Sequence, residues 1–211
     1  MLFDLDDTLA DRPAAIAAYA HVFAADHAQA LRPCPVDDIH RALIAADDAG
    51  SLRQAERLST APLWRTPASP QALFDHWAAE FGKAARPVAD LRPVLDALTR
   101  RGVAMGVVTN GGVAMQRAKI EALGIAPAMA TVVISQEVGL RKPDAAIFRH
   151  ALDAISCAPD DAWFVGDNPD VDVAGALGAG LRAFWIETPA FAPPPPPAER
   201  LAALGDLLAF L

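Results

Sequence analysis

Met1-Leu2-Phe3-Asp4-Leu5-Asp6-Asp7-Thr8-Leu9-Ala10-Asp11-Arg12-Pro13 is the stretch on which the reading of this 211-residue chain turns. Met1–Leu5 is a short apolar run that reads as a buried strand, and it leads straight into an acidic turn. Asp11 and Pro13 then mark a helix start, since an aspartate can cap orphan N–H groups and proline fits the first turn. Behind them Ile16, Tyr19, Ala20 and Phe23 form one apolar helical face. Two acids leaving a buried strand two residues apart are costly without partners, so the turn is a candidate site.

Working outward, helical patterns cover about 36–48, 51–59 and 70–82, the last opened by Ser69-Pro70, and no strand is expected between Asp11 and Val88. From Asp90 the pattern changes. Helix 90–101, strand 103–109, helix 112–123, strand 131–135, helix 143–156, strand 162–165, helix 171–179, strand 182–186 and a terminal helix near 198–210 follow one another. Strands alternating with helices mean parallel βαβ units and an open α/β sheet. The expected architecture is an α/β core with a parallel central sheet, built from 1–11 and 89–211, into which an all-helical segment, 12–88, is inserted. Pro193–Pro197 reads as a stiff spacer.

The chain has 26 acids and 18 bases, a formal charge of −8, and is 53% hydrophobic. That apolar fraction is too high for disorder, and the acidic balance argues against nucleic acid as a partner. Residues 12–88 hold eight acids and eight bases, so the whole acidic excess lies in the core segments. Six of those acids form two clusters, Asp4, Asp6, Asp7 and Asp167, Asp170, Asp172. Clustered carboxylates repel one another unless a cation, a proton or hydrogen bonds offset the repulsion. No apolar run suits a membrane span, and the early acids do not fit a secretory leader. Cys34 and Cys157 show no metal-ligand spacing and suit a reducing compartment, and the five histidines are scattered; the expectation is a cytoplasmic protein without zinc.

In open α/β sheets the reactive loops lie beyond the carboxyl ends of the strands. Those loops carry Asp4-Leu5-Asp6-Asp7-Thr8, then Thr109-Asn110-Gly111, then Arg141-Lys142-Pro143 opening a helix, then Gly166-Asp167-Asn168-Pro169-Asp170-Val171-Asp172. Carboxylates from two loops suit a hard cation such as Mg²⁺, which commonly bridges to a phosphate. A lysine suits anion oxygens. A carboxylate attacks phosphorus only when the substrate's charge is neutralised, and a second carboxylate two residues on can act as general acid and then base. Lys142 also gains from scarcity, because the chain has three lysines (83, 119, 142) against 15 arginines.

In order and in context, Asp4-x-Asp6-x-Thr8, Thr109, Lys142-Pro143 and Gly166-Asp167-x-x-x-x-Asp172 resemble the four motifs of the haloacid dehalogenase superfamily. The resemblance implies a Rossmann-like core and, in the helical insert, a type-1 cap that acts as a mobile lid. It implies Asp4 as a nucleophile forming an aspartyl-phosphate and Asp6 as the acid, then base. Thr8 would help hold the loop. Thr109, with Asn110 and its backbone, would bind the phosphoryl group, and Lys142 would balance charge on Asp4 and the phosphoryl oxygens. Asp4, the main-chain carbonyl of Asp6, and Asp167 would ligate Mg²⁺, with Asp172 as a direct or water-mediated partner.

The implied reaction is Mg²⁺-dependent hydrolysis of a small phosphorylated metabolite. Carbon–halogen-cleaving members lack an acid at the position of Asp6, so a metal-independent 2-haloacid dehalogenase is the alternative, and a catalytically idle phosphometabolite-binding protein is a third. Hexose-phosphate mutases carry a cap histidine where this chain has Ile16. Asp7 and Asp170 read as turn residues. Arg12, Arg53, Arg57, Arg65, Trp64 and Trp77 are the insert residues that could reach a substrate, although surface or core roles are the commoner fate of such residues.

Overall fold

The computed structural model describes residues 1–48 and 50–211. Among the described residues, six strands form one parallel sheet: β1 (Leu2–Phe3), β2 (Gly106–Thr109), β3 (Thr131–Ile134), β4 (Trp163–Gly166), β5 (Arg182–Ile186) and β6 (Glu199–Leu201). Their order is β3-β2-β1-β4-β5-β6, so the chain winds outward in opposite directions on the two sides of β1. That reversal opens a crevice at the carboxyl ends of β1 and its neighbours.

β1 has only two residues, yet both are fully buried, because Leu2 and Phe3 point to opposite faces of the sheet. Phe3 packs with Val107, Val165 and Phe184 against helix α5 (Leu91–Arg100, numbered after the four inserted helices) through Leu91, Val94, Leu95 and Leu98. Leu2 packs with Val108, Phe164 and Trp185 against the helix Ala145–Ala154 through Ile147, Phe148 and Ala151. Helix α6 (Val113–Leu123) adds Ile120 and Leu123 to the first of these faces.

Between β1 and α5 lie α1 (Arg12–Asp26), α2 (Val36–Ala46), α3 (Leu52–Ser59), α4 (Pro70–Glu80) and a 3₁₀ turn, Phe81–Ala84. Local signals start three of these helices: Asp11, Ser51 and Ser69 each accept a first-turn N–H, from Ala14 at 2.8 Å, Gln54 at 3.2 Å and Ala72 at 3.2 Å. Their apolar faces share a core drawn entirely from residues 15–84, with Met115 of α6 half-buried against it. Ile16 lies inside that core. The two strands of chain leading into and out of the insert pair with each other: Asp11 N donates to Arg86 O at 2.8 Å and Val88 N to Leu9 O at 3.1 Å.

Three expectations need correction. The terminal helix is absent; residues 199–201 join β5 as β6, and Leu204–Phe210 forms 3₁₀ turns. The buried residues Leu201, Leu204 and Leu207 recur every three positions, a spacing that suits a threefold helix and mimics α periodicity. The helix expected from Pro143 starts later, as α8 (Ala145–Ala154, after the short α7, Ser135–Val138), because Asp144 is its cap and accepts from Ala146 N at 2.9 Å. The helix expected over 171–179 is a π-helical turn, Pro169–Val173, continued by α9 (Ala174–Gly178). Among the described residues no helix is long and apolar enough to cross a membrane.

Candidate active site

The ends of β1, β2 and β4 carry three of the loops, and the segment between α7 and α8 brings Lys142 to them. Asp4 N donates to Val165 O at 2.9 Å, which extends the ladder one residue past β1 and leaves the carboxylate at the strand end. The Lys142 ammonium, almost fully buried, pairs with Asp4 and lies 2.7 Å from Asp172 Oδ1. Two reciprocal bonds fix the Lys142 backbone: its N–H donates to Asn110 Oδ1 and its carbonyl accepts from Asn110 Nδ2, both at 3.0 Å.

Asp172 is drawn inward by the wide π-helical turn, a deformation that recurs at functional sites. Asn168 caps the turn, its Oδ1 accepting from Asp170 N at 3.1 Å and Val171 N at 3.0 Å. Its own N–H donates to Asp172 Oδ2 at 3.0 Å. The approach is close enough that only glycine fits at 166, where a Cβ would lie 2.5 Å from Asp172 Cβ. Trp185 Nε1, from β5, donates to the Asp167 carbonyl at 2.6 Å and holds that loop from below.

Asp4, Asp167 and Asp172 each offer a carboxylate oxygen within 4.8 Å of the others. Burial, reinforced by the charges of Asp4, Asp172 and Asp7, pushes the Asp167 carboxyl up to about 8. Burial likewise raises Asp4, against the pull of Lys142. Burial opposes the charge on Lys142, but Asp4 and Asp172 override it and raise its pKa. Asp172 Oδ1, although near the ammonium, receives no aligned hydrogen bond. With Asp6 and Lys119 included, four carboxylates face two ammonium groups. When all four are ionised they exceed the two cations by two charges, and that shortfall and the all-oxygen donor set both fit a hard divalent cation.

Asp6 is organised by two residues that the sequence motifs do not include. Lys119 Nζ donates to Asp6 Oδ1 at 2.6 Å and Oδ2 at 2.8 Å, and Gln116 Nε2 donates to Oδ2 at 3.0 Å. The same Gln116 nitrogen donates to Thr109 Oγ1 at 2.7 Å. Burial would raise the Asp6 pKa, but the Lys119 charge and these hydrogen bonds prevail and hold it below the usual carboxylate value. Lysine scarcity is the signal that could have found Lys119, since it singles out that residue as much as Lys142.

Other expected residues take different parts. The Asn110 carboxamide is engaged at both ends by the Lys142 backbone, which leaves only its main chain for a ligand. Thr8 does not hold the first loop through its hydroxyl, which is buried without a partner among the described residues. Main-chain bonds do that work, from Leu9 N and Ala10 N to Leu5 O at 3.0 and 2.8 Å. Asp7, at a left-handed φ of 55°, accepts from Arg12 N at 3.3 Å and is a turn residue, and Asp170 is exposed. In the insert, Arg12 pairs with Asp47 through bonds of 3.0 and 2.6 Å, and its guanidinium sits 5.5 Å from the Phe81 ring centroid. Trp64 and Trp77 are buried in the insert core, whereas Arg53, Arg57 and Arg65 are exposed.

The model of haloacid dehalogenase-like hydrolases matches residues 1–186. The chain belongs to that family. A phosphoserine phosphatase from Thermus thermophilus is 45% identical over 108 residues, which are 51% of this chain and 43% of that protein. The aligned stretch thus spans less than half the length of that relative. Among solved structures, the magnesium-bound HAD-hydrolase YfnB from Bacillus subtilis aligns over 100% of this chain and 96% of its own, with a TM-score of 0.78 and 21% identity. A 2-haloacid dehalogenase from Pseudomonas syringae pv. Tomato aligns over 99% and 95%, with a TM-score of 0.63 and 26% identity. This haloacid dehalogenase-like hydrolase therefore shares its fold with a structure named a dehalogenase and part of its sequence with a protein named a phosphatase.

Proposed function

We propose that this hydrolase cleaves a small-molecule phosphate monoester, with Asp4 as nucleophile and Mg²⁺ as the divalent cation. One observation carries the reading: an acid, Asp6, stands two residues beyond Asp4 with its own counter-ion, beside a three-carboxylate cluster that has only the Lys142 ammonium to balance it. Carbon–halogen cleavage on this fold has no use for either feature. The carboxylates of Asp4, Asp167 and Asp172 and the main-chain carbonyl of Asp6 would hold the ion. When bound, Mg²⁺ supplies charge neutralisation at the phosphoryl oxygens, which lets an anionic nucleophile approach.

Lys142, the backbone N–H of Asn110 and the Thr109 hydroxyl bind the phosphoryl oxygens. Thr109 accepts from Gln116, so its own O–H proton is free to donate. An Asp4 oxygen forms a bond to phosphorus as the bond to the ester oxygen breaks, and that oxygen leaves with the electron pair and takes a proton from Asp6. Water then attacks phosphorus and gives its proton to Asp6. The Asp4–phosphorus bond breaks, which releases phosphate and restores the carboxylate. Residues 12–88 act as a cap over this edge and set the choice of leaving group.

The test is a screen of nucleotide monophosphates, sugar phosphates and phosphoglycolate with Mg²⁺, read as phosphate release. Turnover that EDTA abolishes is the expected result. Chloride release from 2-chloropropionate that survives EDTA would replace this reading with the dehalogenase, and inertness toward both substrate classes would leave a binding protein.

A further inference from the structure

α6 carries two side chains that have no part in the phosphoryl transfer itself. Lys119 is only 5% exposed and bonds to both oxygens of Asp6; Gln116, 1% exposed, bonds to Oδ2 and to Thr109. A carboxylate oxygen has two lone pairs. Oδ2, receiving both Lys119 and Gln116, is saturated, whereas Oδ1 receives Lys119 alone and keeps one lone-pair direction open. The Asp6 side chain is 31% exposed, so the carboxylate is not sealed into the core.

The surroundings hold this arrangement from both sides. A Cβ at Gly111 would lie 2.9 Å from Gln116 Cδ, so the loop after β2 is packed down on the carboxamide. Phe81, at the end of the insert, sits 5.7 Å from Lys119 Nζ by its ring centroid. Next to it, a Cβ at Gly82 would lie 2.8 Å from both Ala118 Cβ and Met115 O of α6. The helix bearing the two donors is therefore wedged between the site loop and the chain returning from the insert.

We propose that Lys119 and Gln116 are positioning residues that clamp Asp6 through Oδ2, so that Oδ1 is the oxygen presented to the substrate, and that Gln116 couples this carboxylate to the phosphoryl-binding Thr109. The proposal rests on the phosphomonoesterase reading. It assigns the two residues to one step, proton transfer to the departing ester oxygen. The phosphorus–oxygen bond breaks as that oxygen takes a proton from Asp6 Oδ1, the one Asp6 receives from the attacking water of the preceding turnover, while Asp4 bonds to phosphorus. Lys119 and Gln116 act through Asp6 and Thr109 and transfer no proton or phosphoryl group themselves.

Leaving-group dependence tests this directly. Nitrophenolate departs without a proton, whereas an alkoxide needs one, so kcat/KM for p-nitrophenyl phosphate and glycerol 2-phosphate should respond differently to loss of a positioned acid. Lys119→Met is expected to lower kcat/KM for the alkyl ester by about a hundredfold and for the aryl ester by less than about tenfold. Lys119→Arg should restore most of the difference, and Gln116→Leu should show the same selectivity more weakly. Circular dichroism and thermal melting establish that each variant is folded. If Lys119→Met does not fold, Gln116→Leu and Lys119→Arg carry the comparison. Equal losses on the two esters, or no loss, overturn the proposal while leaving the phosphatase reading intact. Failure of the unmodified enzyme to release phosphate from these two esters and from every ester of the substrate screen overturns both.

Discussion

Lys142 and Lys119 are both buried lysines that pair with an aspartate from the loop after β1, yet their surroundings differ in charge balance. Lys142 faces Asp4 and Asp172, with Asp167 alongside, and burial drives the carboxyls of Asp4 and Asp167 upward. Lys119 faces Asp6 alone, and there the ion pair outweighs burial and lowers the carboxyl. One side is incomplete without a further cation and the other is complete as it stands. A charge-deficient cluster suits binding of an ion and an anionic substrate together, whereas a balanced pair holds a group in a fixed orientation.

The comparison breaks most completely at Asp4. Asp4→Asn keeps the size of the side chain but removes the nucleophile, so phosphate release should fall by at least about a thousandfold. Because Lys142 retains Asp172, the variant should remain folded by circular dichroism.

Removing the divalent ion should separate the two sides by pH. A carboxyl raised from 3.8 to about 8 binds its proton more tightly in the folded protein than in the unfolded chain. The stability contributed by Asp167 is therefore present at low pH and lost as pH rises through that window. EDTA-treated protein should melt at a lower temperature near about pH 8 than near about pH 5, with Mg²⁺ restoring more at the higher pH. Equal Mg²⁺ stabilisation at both values would show that the cluster is not charge-deficient.

On the balanced side, Lys119→Met strands the Asp6 carboxylate. Removing one partner of a fully buried pair costs about 3–5 kcal/mol, and the partial exposure of Asp6 reduces the expected loss to about 1–2 kcal/mol in urea unfolding near neutral pH. A lowered carboxyl contributes stability above its unfolded pKa and loses it as pH falls through the folded one, so the variant's deficit should shrink in acid. The smallest effect belongs to Trp185→Phe, which removes the donor to the Asp167 carbonyl. About 1 kcal/mol of stability and a severalfold weakening of Mg²⁺ binding by calorimetry are expected.

Asp4, Asp6, Thr109, Lys142, Asp167 and Asp172 are legible in the sequence because each follows a strand or opens a turn, where local pattern is strong. Gln116 and Lys119 lie within α6, where a polar residue facing a site is indistinguishable by spacing from one facing water. Asn110 and Thr8 are legible as site-loop residues but not in their bonding, since a carboxamide or hydroxyl can serve backbone or ligand equally well. β6 is hidden because Leu201, Leu204 and Leu207 satisfy a helical pattern while the edge of β5 competes for the same backbone.

What the sequence determined by itself was therefore the alternation of strands and helices, the inserted helical segment and the order of the chemical loops. These follow from local periodicity and from turn chemistry, which act over a few residues. Only the tertiary structure decided which charges are balanced. That outcome depends on distances between residues as far apart in the chain as Asp6 and Lys119, and on burial, which sets how strongly each unpaired charge is felt.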